Sequence, residues 1–258
     1  MIKIKTYLSE HVVKPTIFPD GTSQVWKLPE EFLEAEEVTI VWNFEAEREL
    51  VDLMSLRMLL SQEVTLHMPY LPFGRQDKEI SNDATFNLQV LAHVLNSLNF
   101  TKVTTVDAHN PHAAGKIIED FHNIPVGPLH SRIIEQVKPN YIVYPDYGAS
   151  LRYKTKLPTI VAMKVRDQAT GKIMGHELNE KYDLKKGDHL LIVDDICDGG
   201  ATFISVADML HRQRSGLVVD LFVTHGIFSK GRQHLLDNGI HAVYTTNSLL
   251  HNTDGYGV

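Results

Sequence analysis

The stretch LIVDDICDGGATF, residues 191–203, joins an apolar run, two adjacent carboxylates and two glycines. A short apolar run rich in branched residues is typical of a buried strand. Asp194 and Asp195 follow that run, so we expect them at the carboxyl end of the strand, where open parallel sheets bind ligands. The next residues, 201–213, have the apolar spacing of a helix. The stretch therefore predicts a strand, a polar glycine loop and a helix.

The polar residues of this loop suit a phosphorylated sugar. An ionised carboxylate only accepts hydrogen bonds, so Asp194 and Asp195 match the vicinal hydroxyls of a ribose. Gly199 and Gly200 allow unusual dihedral angles and a close approach of the backbone. Amides and the dipole at a helix N-terminus attract phosphate. In the alternative reading, Asp198 caps the helix and the glycines only serve the turn.

Strands and helices are predicted to alternate along the rest of the chain, which indicates parallel sheets covered on both faces. The predicted strands are 38–44, 64–70, 102–109, 141–145, 159–165, 189–195, 216–225 and 241–246, and the predicted helices are 45–62, 85–98, 111–120, 148–156, 201–213 and a helix near 229–238. A proline-containing stretch at 122–130 interrupts this pattern. We therefore expect two doubly wound α/β domains, 1–125 and 126–258, with the last residues able to pack back on the first domain.

Composition limits the classes of protein to consider. The 258 residues are 43% hydrophobic and 22% charged, as in an ordinary globular protein. The net charge of −7 offers no broad basic surface, so no nucleic-acid partner is expected. Cys197 is the single cysteine, which fits a reducing compartment. The first residues do not resemble a signal peptide and no apolar run has the length of a membrane span, so the expectation is a cytoplasmic protein without a membrane partner.

The glycine stretch resembles the phosphoribosyl-binding motif of the type I phosphoribosyltransferase fold, in which two acidic residues precede Asp-Thr-Gly/Ala-Gly-Thr. Other segments resemble those of ribose-phosphate diphosphokinases, also called phosphoribosyl-diphosphate synthetases, and they occur in the family's order. These segments are TIFPDGTSQVW (16–26), PYLPFGRQDKE (69–79), TTVDAHN (104–110), YPDYGASLR (144–152), AMKVR (162–166) and THGIFS (224–229).

The resemblance implies a reaction. In that family, the β,γ-diphosphate of ATP moves to the anomeric hydroxyl of ribose 5-phosphate, giving phosphoribosyl diphosphate and AMP, with Mg²⁺ as cofactor. Phosphoryl transfer depends mainly on alignment and on neutralisation of charge, so cations and Mg²⁺ are the parts it requires. The resemblance also implies a homo-oligomer, a dimer or larger.

The resemblance assigns roles to individual residues. It implies ATP binding by Phe18, Asp20, Arg75, Gln76 and Asp77, with Phe18 and Asp20 acting in the adenine site of a neighbouring subunit. Without the resemblance, 74–79 reads as a solvated charged loop.

The remaining roles concern catalysis, metal and the acceptor. The implied catalytic residues are Lys164, Arg166 and His109, and the implied metal-binding residues are His109 and Asp146. The implied ribose-phosphate site consists of Asp194, Asp195, Asp198, Gly199, Gly200, Ala201 and Thr202. An exposed basic strand end and an ordinary histidine are the structural alternatives for Lys164, Arg166 and His109.

The sequence departs from the family pattern at three places. Gly199 replaces the first threonine of the loop, which removes a hydroxyl donor and is expected to leave room. Thr22 replaces a glutamate of the 16–26 segment. Ser81, Asn82 and Asp83 stand where regulated members carry a basic stretch that binds an inhibitory phosphate.

Three alternative functions follow from these features. The room beside Gly199 favours the same chemistry on a 5′-substituted ribose such as ADP-ribose, as in NAD salvage. A phosphoribosyltransferase shares the glycine motif, but the Arg75-Gln76-Asp77 segment argues against it. A non-catalytic regulatory homologue is disfavoured because Lys164, Arg166, His109 and Asp146 are all present.

Overall fold

The computed structural model describes residues 1–166, 173–178 and 180–249. Over these residues the chain divides into two compact units, one of Met1–Pro125 with Ser248 and Leu249, and one of Val126–Asn247. Each unit has its own six-stranded sheet and its own buried apolar core.

The first unit alternates short strands and helices. Its strands are β1 (Ile2–Lys5), β2 (Glu10–Val13), β3 (Thr16–Ile17), β4 (Ser23–Gln24), β5 (Glu37–Trp42), β6 (Glu63–Met68), β7 (Lys102–Val106) and β8 (Phe121–Ile124). Its helices are α1 (Glu30–Leu33), α2 (Glu49–Leu59), α3 (Asn87–Ser97) and α4 (Pro111–Ile117).

The main sheet of the first unit has the order β2-β1-β5-β6-β7-β8. Strands β5 to β8 are parallel, while β1 pairs antiparallel with both β5 and β2. Alternation in the sequence IKIK buries Ile2 and Ile4, as expected for a strand with one face on the core. Strands β3 and β4 form a separate hairpin. The parallel strands therefore end at one common edge.

The second unit repeats this plan. Its helices are α5 (Gly127–Val137), α6 (Tyr147–Arg152), α7 (Ala201–Gln213) and α8 (Arg232–Leu236). Its strands are β9 (Tyr141–Tyr144), β10 (Thr159–Arg166), β11 (Ile173–Leu178), β12 (His189–Cys197), β13 (Val218–Gly226) and β14 (Ala242–Thr245). The sheet order is β11-β10-β9-β12-β13-β14, with β11 antiparallel to β10 and the other pairs parallel.

Strand β12 lies at the centre of the second unit and is buried on both faces. Leu190 and Ile192 belong to the apolar cluster that includes α7, and Leu191 and Val193 belong to the cluster that includes α5. A strand between two layers of helix needs a continuous apolar run, which is what residues 190–193 supply. This packing fixes the point at which the polar residues of 194–200 begin.

The structure contains every strand and helix predicted above, with ends displaced by a few residues. The stretch 122–130, predicted to interrupt the pattern, holds the end of β8 and the start of α5. Pro128 misled the prediction, because proline fits the first turn of a helix, where no amide donor is needed. The antiparallel strands β1, β2 and β11 were not predicted; β2 and β11 lie at the edges of their sheets, and β1 lies between β2 and β5. No helix in the described part of the chain is both long and apolar enough to cross a membrane.

Candidate active site

The carboxyl ends of β9 and β10 bring Asp146 and Lys164 together. Asp146 caps α6 because one carboxylate oxygen, Oδ1, accepts a hydrogen bond from the Ala149 amide at 3.0 Å. The other oxygen, Oδ2, lies 2.7 Å from Lys164 Nζ. Burial opposes ionisation of Asp146, but the bonds from Lys164 and Ala149 outweigh it and lower the pKa of Asp146 below its usual range. Asp146 and Lys164 therefore form a fixed, half-buried ion pair.

Two adjacent carboxylates, those of Asp194 and Asp195, lie close together near the end of β12. Burial, the charge of Asp195 and the charge of Asp146 together raise the pKa of Asp194 well above its usual range. Asp195 is buried, and its Oδ2 lies 3.0 Å from Arg152 Nη1 on α6. Arg152 thus compensates Asp195, while Asp194 remains in an unfavourable electrostatic environment. A ligand that donates hydrogen bonds, or a cation, would relieve this crowding.

The glycine loop leads into α7 through Gly200. Gly200 has φ +78°, a conformation that favours glycine, and a Cβ there would lie 2.6 Å from Leu235 Cδ2, so that methyl group would have to move. Gly200 is also the N-cap residue of α7. The alternative reading, in which Asp198 is the N-cap residue, is therefore wrong. The first-turn amides and Thr202, which is half-buried, are suited to an anion.

The room expected beside Gly199 is partly filled. Ser229 Oγ and Lys230 Cε each lie 3.6 Å from the position that a Cβ of residue 199 would occupy. These are ordinary van der Waals distances, so a side chain at 199 would touch both residues. No local sequence pattern predicts this contact, because it depends on the pairing of β12 with β13.

His176 is a neighbour of the site that the sequence analysis did not identify. It lies opposite Lys164 in the β10–β11 pair, so both side chains project from the same face. His176 Nδ1 is 2.9 Å from Ser205 Oγ on α7, and its buried Nε2 has no hydrogen-bond partner among the described residues. Burial and the charge of Lys164 lower the pKa of His176, which favours the neutral imidazole. Arg166 is the last residue of β10, and its side chain lies outside the described part of the chain.

In the first unit, the ends of β6 and β7 bring two predicted segments together. Asp77 Oδ2 accepts a hydrogen bond from Asn110 Nδ2 at 2.6 Å, and Asn110 Oδ1 accepts one from the Ala113 amide at the start of α4. Asn110 belongs to the TTVDAHN segment but had no predicted role. Arg75 and Gln76, before Asp77, are exposed, and so is His109, before Asn110.

Phe18 and Asp20 lie apart from these residues in sheet topology, on the β3–β4 hairpin. Asp20 Oδ1 accepts hydrogen bonds from the Thr22 hydroxyl at 2.7 Å and the Thr22 amide at 3.0 Å, which lower the pKa of Asp20. Gly21 completes the turn with φ +85°. Thr22, the departure from the family's glutamate, thus holds the Asp20 carboxylate in place. Phe18 is 38% exposed at the tip of this hairpin.

Curated relatives of this chain are ribose-phosphate pyrophosphokinases. The protein of that name from Mycoplasmopsis pulmonis is 28% identical over 255 residues, covering 93% of this chain and 77% of that protein. The one from Granulibacter bethesdensis is 30% identical over 215 residues, covering 78% of this chain and 66% of that protein. No family model matches the chain.

A solved structure has the same fold. Phosphoribosylpyrophosphate synthetase from Mycobacterium smegmatis matches with a TM-score of 0.77 and 20% identity, covering 94% of this chain and 82% of that one. The match confirms the predicted fold class, two doubly wound α/β domains of the type I phosphoribosyltransferase fold.

Proposed function

The chain belongs to the ribose-phosphate pyrophosphokinase family and is an enzyme of that type, and from this premise we propose that it transfers the β,γ-diphosphate of ATP to the anomeric hydroxyl of ribose 5-phosphate. The products are phosphoribosyl diphosphate and AMP. One observation carries the proposal: Lys164, Asp146 and Asp194 gather at the carboxyl edge of the sheet that also presents the glycine loop.

The acceptor sugar uses the end of β12 and the start of α7. Asp194 and Asp195 accept hydrogen bonds from the ribose hydroxyls, and Arg152 keeps the Asp195 carboxylate oriented. The 5-phosphate lies against Asp198, Gly199, Gly200, Ala201 and Thr202, where amides of α7 and the Thr202 hydroxyl donate to it. Sugar hydroxyls are donors, so their binding also satisfies the crowded carboxylates.

Lys164 and Arg166 act on the diphosphate as it moves. Negative charge is spread over the transferred group in the transition state, and preorganised cations stabilise it. Lys164 is already held by Asp146, so its ammonium needs little reorganisation. Arg166 ends the same strand, β10, two residues after Lys164.

Mg²⁺ fits this site as an ion held mainly by substrate. Within the described residues no group of three or more His, Cys, Asp or Glu side chains is arranged to hold a metal. Mg²⁺ commonly binds through one or two carboxylates together with substrate phosphates and water. Burial and the neighbouring carboxylates of Asp195 and Asp146 raise the pKa of Asp194, and a cation nearby would favour its ionised form. Asp146 and His109 are the proposed metal-binding residues, and the ion would supply charge neutralisation on the phosphates.

The first unit supplies the residues for ATP. Arg75 binds the phosphates, Gln76 and Asp77 lie near the nucleotide, and Asn110 fixes the Asp77 carboxylate. Phe18 and Asp20 serve the adenine of a neighbouring subunit in a homo-oligomer. Exposed Ile17 and Trp26 beside Phe18 support an apolar contact of the hairpin with another chain.

The test is to supply the purified protein with ATP, Mg²⁺ and one sugar at a time, and to measure AMP release. The expected result is AMP formation that requires ribose 5-phosphate. ADP-ribose is the second candidate acceptor because Gly199 replaces a threonine, so a mixture of the two sugars should be supplied and the product identified by mass spectrometry. Failure to release AMP with any sugar phosphate would refute the diphosphokinase assignment.

A further inference from the structure

The residues after β13 run beside the glycine loop. Strands β12 and β13 are paired up to their ends, with Cys197 opposite Gly226. The amides of Ile227 and Phe228 then both donate to the Cys197 carbonyl, at 2.8 and 3.1 Å. The chain after Gly226 is therefore held against the residue that begins the loop.

A tight turn fixes where Ser229 and Lys230 lie. A Cβ on Gly226 would be 2.1 Å from the Phe228 ring, so only glycine fits beside it. Phe228 is buried and has φ +47°, and its carbonyl accepts a hydrogen bond from the Gly231 amide at 2.7 Å. The position of Lys230 thus follows from the fold and not from a mobile surface segment.

Lys230 lies alongside the loop at the position where a threonine is missing. Its Cε and Cδ atoms lie 3.6 and 3.7 Å from the Cβ position of residue 199. The residue is exposed, and no carboxylate of the described residues is within ion-pair distance of its ammonium. The ammonium is therefore available to a ligand at the loop.

The loop needs a cation if it is to hold a phosphate. Asp194, Asp195 and Asp198 place carboxylates at its entrance, while the α7 amides and the Thr202 hydroxyl are neutral donors. A phosphate monoester carries nearly two negative charges, whereas each phosphate of a diester or diphosphate bridge carries about one. A cation beside the loop therefore favours the monoester, since charge-assisted hydrogen bonds strengthen with the charge of the acceptor.

Building on the proposed function, we infer that Lys230 is the specificity residue of the acceptor site. Its ammonium binds the terminal 5-phosphate and replaces the hydroxyl donor that Gly199 lacks. The lysine stem fills the space through which a 5′-substituent would leave. Lys230 thus selects a ribose with a terminal phosphate monoester over one whose phosphate is esterified.

The first experiment compares Lys230→Met with Lys230→Arg and with Lys156→Met, an exposed lysine of the same unit. We expect Lys230→Met to raise KM for ribose 5-phosphate about tenfold with kcat within a few-fold, about 1.4 kcal/mol of binding. The ratio of kcat/KM for ribose 5-phosphate to kcat/KM for ADP-ribose should fall about tenfold. ADP-ribose, whose 5′-phosphate is esterified, should lose less binding than ribose 5-phosphate. Lys230→Arg should retain most of the selectivity and Lys156→Met all of it. An unchanged ratio in Lys230→Met, or an equal fall in Lys156→Met, would overturn the inference.

A binding measurement separates this inference from the proposed function. Calorimetric titration of ribose 5-phosphate, without ATP or Mg²⁺, should show about tenfold weaker binding to Lys230→Met and a smaller dependence on salt. If the parent releases no AMP but binds the sugar phosphate in a Lys230-dependent way, the proposed function fails and the inference stands. If the parent is active and Lys230→Met binds as tightly as the parent, the inference alone fails.

A double variant tests whether Lys230 replaces the threonine. Gly199 does not need a positive φ, so threonine can be accepted there. In the Lys230→Met background, Gly199→Thr should restore most of the preference for ribose 5-phosphate. In the parent, Gly199→Thr should raise the preference for ribose 5-phosphate only slightly. The Lys230 stem already occupies the space beside residue 199, and its ammonium already binds the phosphate. Equal effects in both backgrounds would show that the residues act independently and would refute the replacement.

Discussion

The two units share one sheet-and-helix plan but differ in how their polar side chains are held. In the second unit, folding itself fixes the polar side chains, since Asp146 is bonded to Lys164 and Asp195 is paired with Arg152. In the first unit, Arg75 and Gln76 are exposed on the long connection between β6 and α3, and the Asp77–Asn110 bond joins this connection to the end of β7. The charged side chains of the second unit are therefore paired and partly buried, whereas Arg75 and Gln76 of the first unit are exposed.

This difference has an energetic consequence. Side chains that are ordered only on binding reduce affinity, because each loses rotamer freedom at that moment. Side chains that are ordered in the folded state avoid this loss, but crowded charges such as Asp194 and Asp195 then destabilise the fold. We expect variants of the second unit to change turnover and stability, and variants of the first to change KM for ATP.

The largest effect is expected for Lys164→Met. The change keeps the length of the side chain and removes the cation that is preorganised by Asp146. Loss of one preorganised group that acts on transition-state charge costs about 10²–10³ in kcat. KM for ATP should change little, because the lysine acts chiefly on the developing charge. AMP release under saturating substrates is the measurement.

Lys154→Met is the matched control for that change, since Lys154 is an exposed lysine beside α6. It should keep turnover within a few-fold of the parent. If the turnover of Lys164→Met stayed within a few-fold of the parent, the Lys164–Asp146 pair would be structural only. The claim that the paired charges of the second unit serve turnover would then fail.

The second effect is on stability and concerns Asp194→Asn. The folded pKa of Asp194 is raised above its unfolded value, so the folded state disfavours the charge that the unfolded state acquires from about pH 4 upwards. Stability of the parent is therefore lost as pH rises from the unfolded pKa to the folded one. Asp194→Asn should remove this loss and raise Tm at neutral pH by about 2–4 °C for each kcal/mol regained.

Asp146→Asn serves as the control, because it should lower Tm at neutral pH where Asp194→Asn raises it. The folded pKa of Asp146 is lowered, so its ionised form stabilises the protein above the unfolded pKa, and this contribution disappears as pH falls. Asparagine keeps the cap on α6, because it also accepts from the Ala149 amide. Thermal unfolding between pH 4 and 8 checks both variants, and equal Tm shifts of the same sign would contradict the electrostatic account.

The contrast between the units also explains what could be read from the sequence. Local signals predicted the segment from β12 through the glycine loop to α7, because a continuous apolar run, two acidic residues and two glycines all lie within one short stretch. The alternating order of strands and helices was likewise enough for the doubly wound fold. Alternation in IKIK was a usable signal for β1 that was overlooked.

Other parts depend on contacts between distant segments. The placement of Lys230 against Gly199 requires the register of β12 with β13. The placement of His176 opposite Lys164 requires the antiparallel pairing of β10 with β11. Neither pairing has a local sequence signature, because strand register is set by packing of the whole sheet. The roles given to individual site residues remain predictions.

A smaller effect is expected for the Asp77–Asn110 hydrogen bond of the first unit. Asp77→Ala removes the acceptor, while Asn110→Ser removes the amide N–H donor that reaches Asp77 and keeps a capping oxygen for α4. Each change should raise KM for ATP by roughly fivefold, about 1 kcal/mol, the usual size of one hydrogen bond. The double variant should be no worse than either single one if both act through the same bond. Additive effects would mean that the bond does not position the nucleotide residues.

The smallest expected effect is that of inorganic phosphate and ADP at the 81–83 segment. Ser81, Asn82 and Asp83 are exposed, and Ser81 Oγ donates to Asp83 Oδ1 at 2.5 Å, which lowers the pKa of Asp83. This segment therefore presents an ionised carboxylate at neutral pH and repels an anion. ADP should inhibit by simple competition with ATP, and millimolar phosphate should not activate. Steady-state rates at varied ATP give the test, with Asp83→Asn as the variant that removes the charge and should behave as the parent does. Sigmoidal inhibition by ADP that persists in every variant of residues 81–83 would indicate a second anion site elsewhere and would contradict simple competition with ATP.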